Sequence, residues 1–109
     1  MILATIRMTI PPKKHDEALR ILRSVSDRCK NHTGCLGCYI YEDVKENNVI
    51  MFEEMWRSEE DLERHLRSGE YRNVLLVMEM ALKHPEVRFN TVSTSTGIET
   101  IEKARSNTR

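Results

Sequence analysis

From the second position onward every other residue is apolar: Ile2, Ala4, Ile6, Met8 and Ile10 alternate with Leu3, Thr5, Arg7 and Thr9. A period of two belongs to a strand with one buried face, so the chain is expected to open with a strand over 2–10. Pro11 and Pro12 end it, because neither can donate a hydrogen bond to a ladder. The period then lengthens. Ala18, Leu22, Val25 and Cys29, flanked by Leu19 and Ile21, fall at helical spacing, while Glu17, Arg20, Arg23, Asp27 and Lys30 lie mostly toward the other side. An amphipathic helix over 13–31 is predicted, closed by the turn formers between Asn31 and Gly34.

Two further strands are predicted over 35–44 and 49–57, joined tightly at 45–48, where Asn47 and Asn48 tolerate turn conformations. The second has Ile50, Phe52 and Trp56 on one face and Val49, Met51 and Met55 on the other. Both faces call for cover, which a single helical layer cannot supply. Ser58-Glu59-Glu60-Asp61 is a helix start, with a capping serine and acids near the positive end of the dipole. Leu62, His65 and Leu66 share one face of that helix. After a break at Ser68-Gly69, Tyr71, Val74, Leu75, Met78, Ala81 and Leu82 mark a second helical segment that Pro85 ends. A β-branched stretch over 87–96 suits a last strand, and 97–109 reads as a polar tail or short helix.

The order β-α-β-β-α-β is the split βαβ plan. The expected class is α+β and ferredoxin-like, with a four-stranded antiparallel sheet and helices on one face. At 109 residues there is room for one core, placed over 1–96, and not for two. The uncovered sheet face carries apolar residues, and a large exposed apolar patch is unusual on a monomer. A second copy of the chain is the expected cover.

Composition narrows the partners. Lys and Arg total 17 and so do Asp and Glu, leaving no surplus positive charge to attract a phosphate backbone or an anionic lipid surface. Neither nucleic acid nor membrane is expected. The first residues lack the pattern of an export signal, and nowhere do about 18 apolar residues run together, so a soluble, cytoplasmic protein is expected.

Cys29, Cys35 and Cys38 are an odd number, which favours reduced thiols over a disulfide framework. The Cys35-x-x-Cys38 pair has the spacing of a redox couple or half a zinc site, but no second pair follows and it sits in a strand. Strand residues three apart are expected on opposite faces, which keeps the two thiols unbridged. No H-x-x-x-H, EF-hand loop or phosphate-cradling glycine motif occurs, so no metal and no cofactor are expected. His15, His32 and His84 fall at a helix start, a turn and a helix end, as polar boundary residues. Glu53 and Glu54 are neighbours on a strand and should point to opposite faces.

Three segments carry a resemblance: Gly34-Cys35-Leu36-Gly37, the strand end Glu54-Met55-Trp56, and Ser58-Glu59-Glu60-Asp61-Leu62 followed by His65-Leu66. Together they resemble the antibiotic biosynthesis monooxygenase family, with its glycine-led second strand, a Glu-x-Trp ending the third strand, and a helix carrying histidine then leucine. The likeness covers about residues 1–96. It implies a homodimer whose sheets meet face to face as a barrel, each chain keeping a pocket between sheet and helices. Several relatives use that pocket to oxygenate polycyclic phenols or quinols without metal or flavin. Removing a proton from an electron-rich phenol leaves an anion that can itself reduce oxygen, so such a protein need mainly bind, orient and deprotonate.

Carried onto this chain, the resemblance implies a small aromatic substrate, no cofactor, His65 as the catalytic proton acceptor and Trp56 as a pocket wall. Phe52, Leu62 and Tyr39 are the further residues expected beside the substrate. His65 also stands out by itself as the histidine on an apolar helix face, with an imidazole that ordinarily titrates near neutral pH. The plainer alternatives are a core tryptophan and a hydrogen-bonded helix histidine. Tyr39 and Tyr41 share a strand face and could donate to a phenolate or simply pack across strands. Where the best-known members have an asparagine four residues before the tryptophan and a tyrosine six after it, this chain has Phe52 and Leu62. Ile6-Arg7-Met8 lacks the asparagine of the haem-degrading branch. The alternative expectation is a non-catalytic dimeric protein of the same fold that binds a small molecule or serves in a stress response.

Overall fold

The computed structural model describes residues 1–106, so the final residues of the expected tail, 107–109, lie outside the described part. The first strand, β1 (Ile2–Thr9), buries Ile2, Ala4, Ile6 and Met8 on one face, as the alternation requires. A short 3-10 turn at Pro12–Lys14 leads into α1 (His15–Cys29), whose buried residues are Ala18, Leu22, Val25 and Cys29. The hairpin strands are β2 (Cys35–Glu42) and β3 (Val49–Trp56), and Asn48 turns between them at a φ of 66°. Next come α2 (Glu59–Arg67), α3 (Tyr71–Glu79), β4 (Glu86–Thr91) and, in the tail, α4 (Glu99–Ser106).

The sheet is antiparallel throughout, in the order β2-β3-β1-β4, and it does not close on itself. This is the ferredoxin-like plan. The core lies between the sheet and the helical layer, where Met8, Ile10, Leu22, Val25, Ile50, Phe52, Trp56, Val74 and Val77 are buried. In the register Ile2 lies opposite Trp56 and Ala4 opposite Glu54, so Trp56 and Glu54 point to the helix side. Glu53 takes the other face, where its carboxylate accepts a 3.2 Å hydrogen bond from the Tyr41 hydroxyl. The two glutamates therefore diverge as expected.

One expectation about β2 fails. A bulge between Cys35 and Gly37 inserts an extra residue, after which Cys35 pairs with Trp56 and Cys38 with Glu54. Trp56 and Glu54 share a face, so Cys35 and Cys38 do as well. Strict alternation would have separated them, and the extra residue cancels it.

Gly34, just before β2, has a φ of 85°, and a side chain there would run into the Asp61 carboxylate of α2. Its carbonyl also accepts from the Arg57 amide at 2.8 Å. Glycine is required here both for the left-handed backbone and for the close approach. Gly34→Ala is expected to lower stability by about 1–3 kcal/mol, read as a shift in the urea midpoint. An unchanged midpoint would mean that the loop relaxes freely.

The fourth strand differs from the other three. All its residues are exposed, among them Val87 at 41% and Phe89 at 47%, which the register with Ile6 and Ala4 places on the helix side. Every residue of α4 is exposed too. The radius of gyration is 16.2 Å, above the roughly 13 Å of a compact domain of this size, with extents of 52 × 34 × 22 Å. Among the described residues no helix is long and apolar enough to cross a membrane.

Candidate functional site

The site is built where the end of β3 meets the start of α2. Ser58 caps α2: its hydroxyl accepts from the Asp61 amide at 3.3 Å and donates to Asp61 Oδ2 at 2.9 Å. Arg57 Nε donates to the same oxygen at 3.1 Å, and Arg64 Nη1 to Oδ1 at 2.9 Å. Ser58, Arg64 and Arg57 together hold the Asp61 carboxyl below the usual carboxylate range, against the opposing effect of desolvation. Because its folded pKa is depressed, Asp61 stabilises the fold above its unfolded pKa of about 4, and that contribution disappears as the pH falls through the folded value. Asp61→Asn should therefore lose most stability near neutral pH, with the gap to the parent closing in acid. Thermal melts across pH 2–7 measure this, and a gap that does not vary with pH would contradict it.

With its first turn fixed in this way, α2 turns Leu62 and His65 inward. The His65 ring lies over Trp56 with centroids 4.5 Å apart and planes inclined by 31°. Tyr71, from α3, meets it edge-on at 5.3 Å, and His32, from the turn after α1, approaches at 5.5 Å. His65 Nε2 is 2.7 Å from Glu54 Oε2, both side chains being almost wholly buried. The contact is short, yet neither His65 nitrogen makes an aligned hydrogen bond among the described residues. The Trp56 indole N–H is likewise buried without an acceptor. Burial, with the Glu54 charge adding to it, pushes the Tyr71 phenol up to about 12, so it is protonated at neutral pH.

Behind this cluster lie the thiols. Cys29 Sγ is 3.2 Å from Cys35 Sγ and 3.8 Å from Glu54 Oε2. The Cys38 thiol, burial, and the Cys35 thiol push the Cys29 thiol far up, so it holds its proton. In front of the cluster is a cavity of about 270 Å³, lined by His32, Thr33, Trp56, Asp61, Arg64, His65 and Ser68. His32 is anchored by a 2.8 Å contact between its Nε2 and Glu70 Oε2.

Of the residues singled out in the sequence, His65 and Trp56 come together at this cavity. Phe52 and Leu62 are buried in the core beneath it and are not among the residues that line it. Tyr39 is on the other face of the sheet, half exposed, paired with Glu53 and 6.4 Å from Tyr41. The fold does not bring it to the cavity. Glu54, Tyr71 and Cys29 escaped the sequence reading as partners of His65, and His32 was placed as a boundary residue. Glu54 and Tyr71 carried a signal, since each takes an inward position at its own period. Their convergence depends on tertiary packing.

The profile described as antibiotic biosynthesis monooxygenase matches residues 1–75. An uncharacterised protein of Synechocystis sp. is 27% identical over 59 residues, which are 54% of this chain and 40% of that relative's length. A crystal structure named as an antibiotic biosynthesis monooxygenase superposes with a TM-score of 0.76 at 20% identity, covering 86% of this chain and 100% of that one. A conserved protein from Methanosarcina mazei Go1 gives 0.76 at 21% identity, with coverages of 82% and 89%. A protein from Mycobacterium tuberculosis gives 0.72 at 21%, with coverages of 89% and 100%. At such identities the structural likeness establishes the fold and no more.

Proposed function

This chain belongs to the antibiotic biosynthesis monooxygenase family, and from that premise we propose that it is a cofactor-independent oxygenase acting on a small phenol or quinol in the cavity between sheet and helices. The observation that carries this reading is the buried Glu54–His65 contact beside Trp56. Glu54 holds Nε2 and leaves Nδ1, which has no partner among the described residues, as the proton acceptor. The Trp56 face supplies stacking area and its unmatched N–H a donor for a substrate oxygen. Arg64, at the cavity wall, contributes positive charge toward the anion that deprotonation creates. That anion passes one electron to oxygen, the substrate radical and superoxide combine into a peroxide, and the peroxide takes up the proton from His65 and loses water to leave the quinone carbonyl.

Cavity size limits the substrate. At about 270 Å³ the space lies just below the usual range for small-molecule pockets, about 300–1,000 Å³, which favours one or two rings over larger polycycles. Phe52 and Leu62, in the core, leave wall and base to do the work without further polar groups at those positions. Oxygen uptake by reduced, metal-stripped protein, measured with one-ring quinols, two-ring quinols and three-ring anthrones, tests the reading. Uptake with the smaller quinols is expected; binding of them without any oxygen uptake would favour the non-catalytic alternative.

The proposed working unit is a homodimer. The half-exposed Tyr39 and Tyr41 on the open sheet face supply apolar surface that a second copy would cover. Sedimentation equilibrium at micromolar concentration is expected to give twice the chain mass of 12.8 kDa, and a single-chain mass would defeat this part.

A further inference from the structure

Cys29, Glu54 and His65 come from α1, β3 and α2, and each offers one donor atom, all within 4.8 Å of one another and all buried. No linear spacing announces such a set. Its three atoms are a sulfur, a carboxylate oxygen and an imidazole nitrogen, with Sγ to Oε2 at 3.8 Å and Nε2 to Oε2 at 2.7 Å. Around a tetrahedral zinc, with bonds of about 2.3 Å to sulfur and about 2.0 Å to nitrogen and oxygen, the corresponding separations are about 3.5 and about 3.3 Å. Closing the set around an ion takes changes of about 0.3 Å between sulfur and oxygen, about 0.6 Å between nitrogen and oxygen, and at most about 1.3 Å between sulfur and nitrogen.

A second observation concerns the same ring: His65 Nε2, although 2.7 Å from Glu54 Oε2, makes no aligned hydrogen bond, and Nδ1 has no partner among the described residues. Buried polar groups left in that condition cost free energy, and a cation on Nε2 would remove part of the cost.

We propose that Cys29 Sγ, Glu54 Oε2 and His65 Nε2 form a binding site for a zinc-like divalent transition metal, with the fourth position open to a small molecule. Thiolate with imidazole and carboxylate selects zinc or cobalt over calcium or magnesium. Three protein ligands with an open fourth position is the pattern of reactive rather than purely structural zinc. Entry runs through the cavity, which His65 lines. Binding releases the Cys29 proton and any proton shared by Glu54 and His65 to solvent. A metal on Nε2 leaves the proton of neutral His65 on Nδ1, so metal binding and action of His65 as a base exclude one another. Zinc would then switch off the proposed oxygenation.

The test reads metal uptake with no substrate present, so its outcome is independent of whether the oxygenase reading holds. Metal-stripped, thiol-reduced wild-type protein is titrated with cobalt(II), and the spectrum is followed for the thiolate-to-cobalt charge-transfer band. One cobalt per chain with that band, displaced by zinc, is expected. Cys29→Ser should lose the band and weaken cobalt binding by more than about 100-fold, beyond what loss of an outer partner costs. Glu54→Gln, nearly the same size, should weaken it comparably and decides alone if Cys29→Ser does not fold. Absence of uptake, uptake without the band, or a band unchanged in both variants would overturn the site.

Discussion

Replacing His65 with alanine is expected to lower turnover of an accepted quinol by about 10²–10⁴-fold, the usual loss when a positioned proton acceptor is removed. The geometry makes this a strong test, because no other imidazole is poised to take over. His32, the nearest, has its Nε2 engaged with Glu70, and its ring centroid is 5.5 Å from that of His65. Loss of a buried ring also costs stability, so far-ultraviolet circular dichroism and a thermal melt must accompany the kinetics. Glu54→Gln supplies the complement. It keeps the side-chain volume but removes the charge that holds Nε2, so kcat should fall while the affinity for the quinol changes little. Wild-type turnover in His65→Ala, with the fold intact, would remove His65 from the chemistry.

Trp56 separates packing from binding. It is fully buried in the core cluster, and truncation to alanine should cost about 3–5 kcal/mol, the range for removing a large aromatic ring from a packed interior. Trp56→Phe should behave differently. The indole N–H has no acceptor among the described residues, so the substitution breaks no hydrogen bond there and removes an unsatisfied donor. Its effect on stability comes from lost area alone, while the ligand loses both stacking surface and a donor. The expectation is a KM raised by about tenfold, with kcat changed far less and stability lowered by about 1–2 kcal/mol. Trp56 is the chain's single tryptophan, so its fluorescence reports occupancy directly. A quinol that is turned over without quenching that fluorescence would place the substrate elsewhere.

Most of the fold was legible because its signals are local. Alternation in β1 located the buried row Ile2, Ala4, Ile6 and Met8 without any knowledge of what covers it. Helical spacing did the same for Ala18, Leu22, Val25 and Cys29, and the serine cap at Ser58 fixed the start of α2 to the residue. Boundaries near chain reversals were less legible. The strand expected over 87–96 ends at Thr91, because β1 offers partners only from Ile2 to Arg7. Pairing, not β propensity, sets that limit.

The site was half legible. His65 could be placed on an inward helix face and Trp56 at a strand end, since both follow from period. Glu54, Tyr71 and Cys29 needed three other elements to converge on one ring, and no single-sequence period encodes that. The bulge at Cys35–Gly37 is a further example: one inserted residue puts Cys35 and Cys38 on the same face, and nothing in C-x-x-C announces it. Tyr39 differs: the strand face it shares with Tyr41 suggested a place beside a substrate, while the register puts it across the sheet from this cavity.

The central claim is that His65 receives the substrate's proton on Nδ1 while Glu54 occupies Nε2. It is tested most directly by nitrogen-15 spectra of histidine-labelled, metal-stripped protein, with the His65 signals assigned by their absence from His65→Ala. In the free protein the account predicts a proton on Nε2 and an unprotonated Nδ1. Saturation with a small phenol should then move the Nδ1 resonance toward its protonated position and leave Nε2 nearly unchanged. A proton already on Nδ1 in the free protein, or an Nδ1 resonance that a saturating phenol does not shift, would contradict the account.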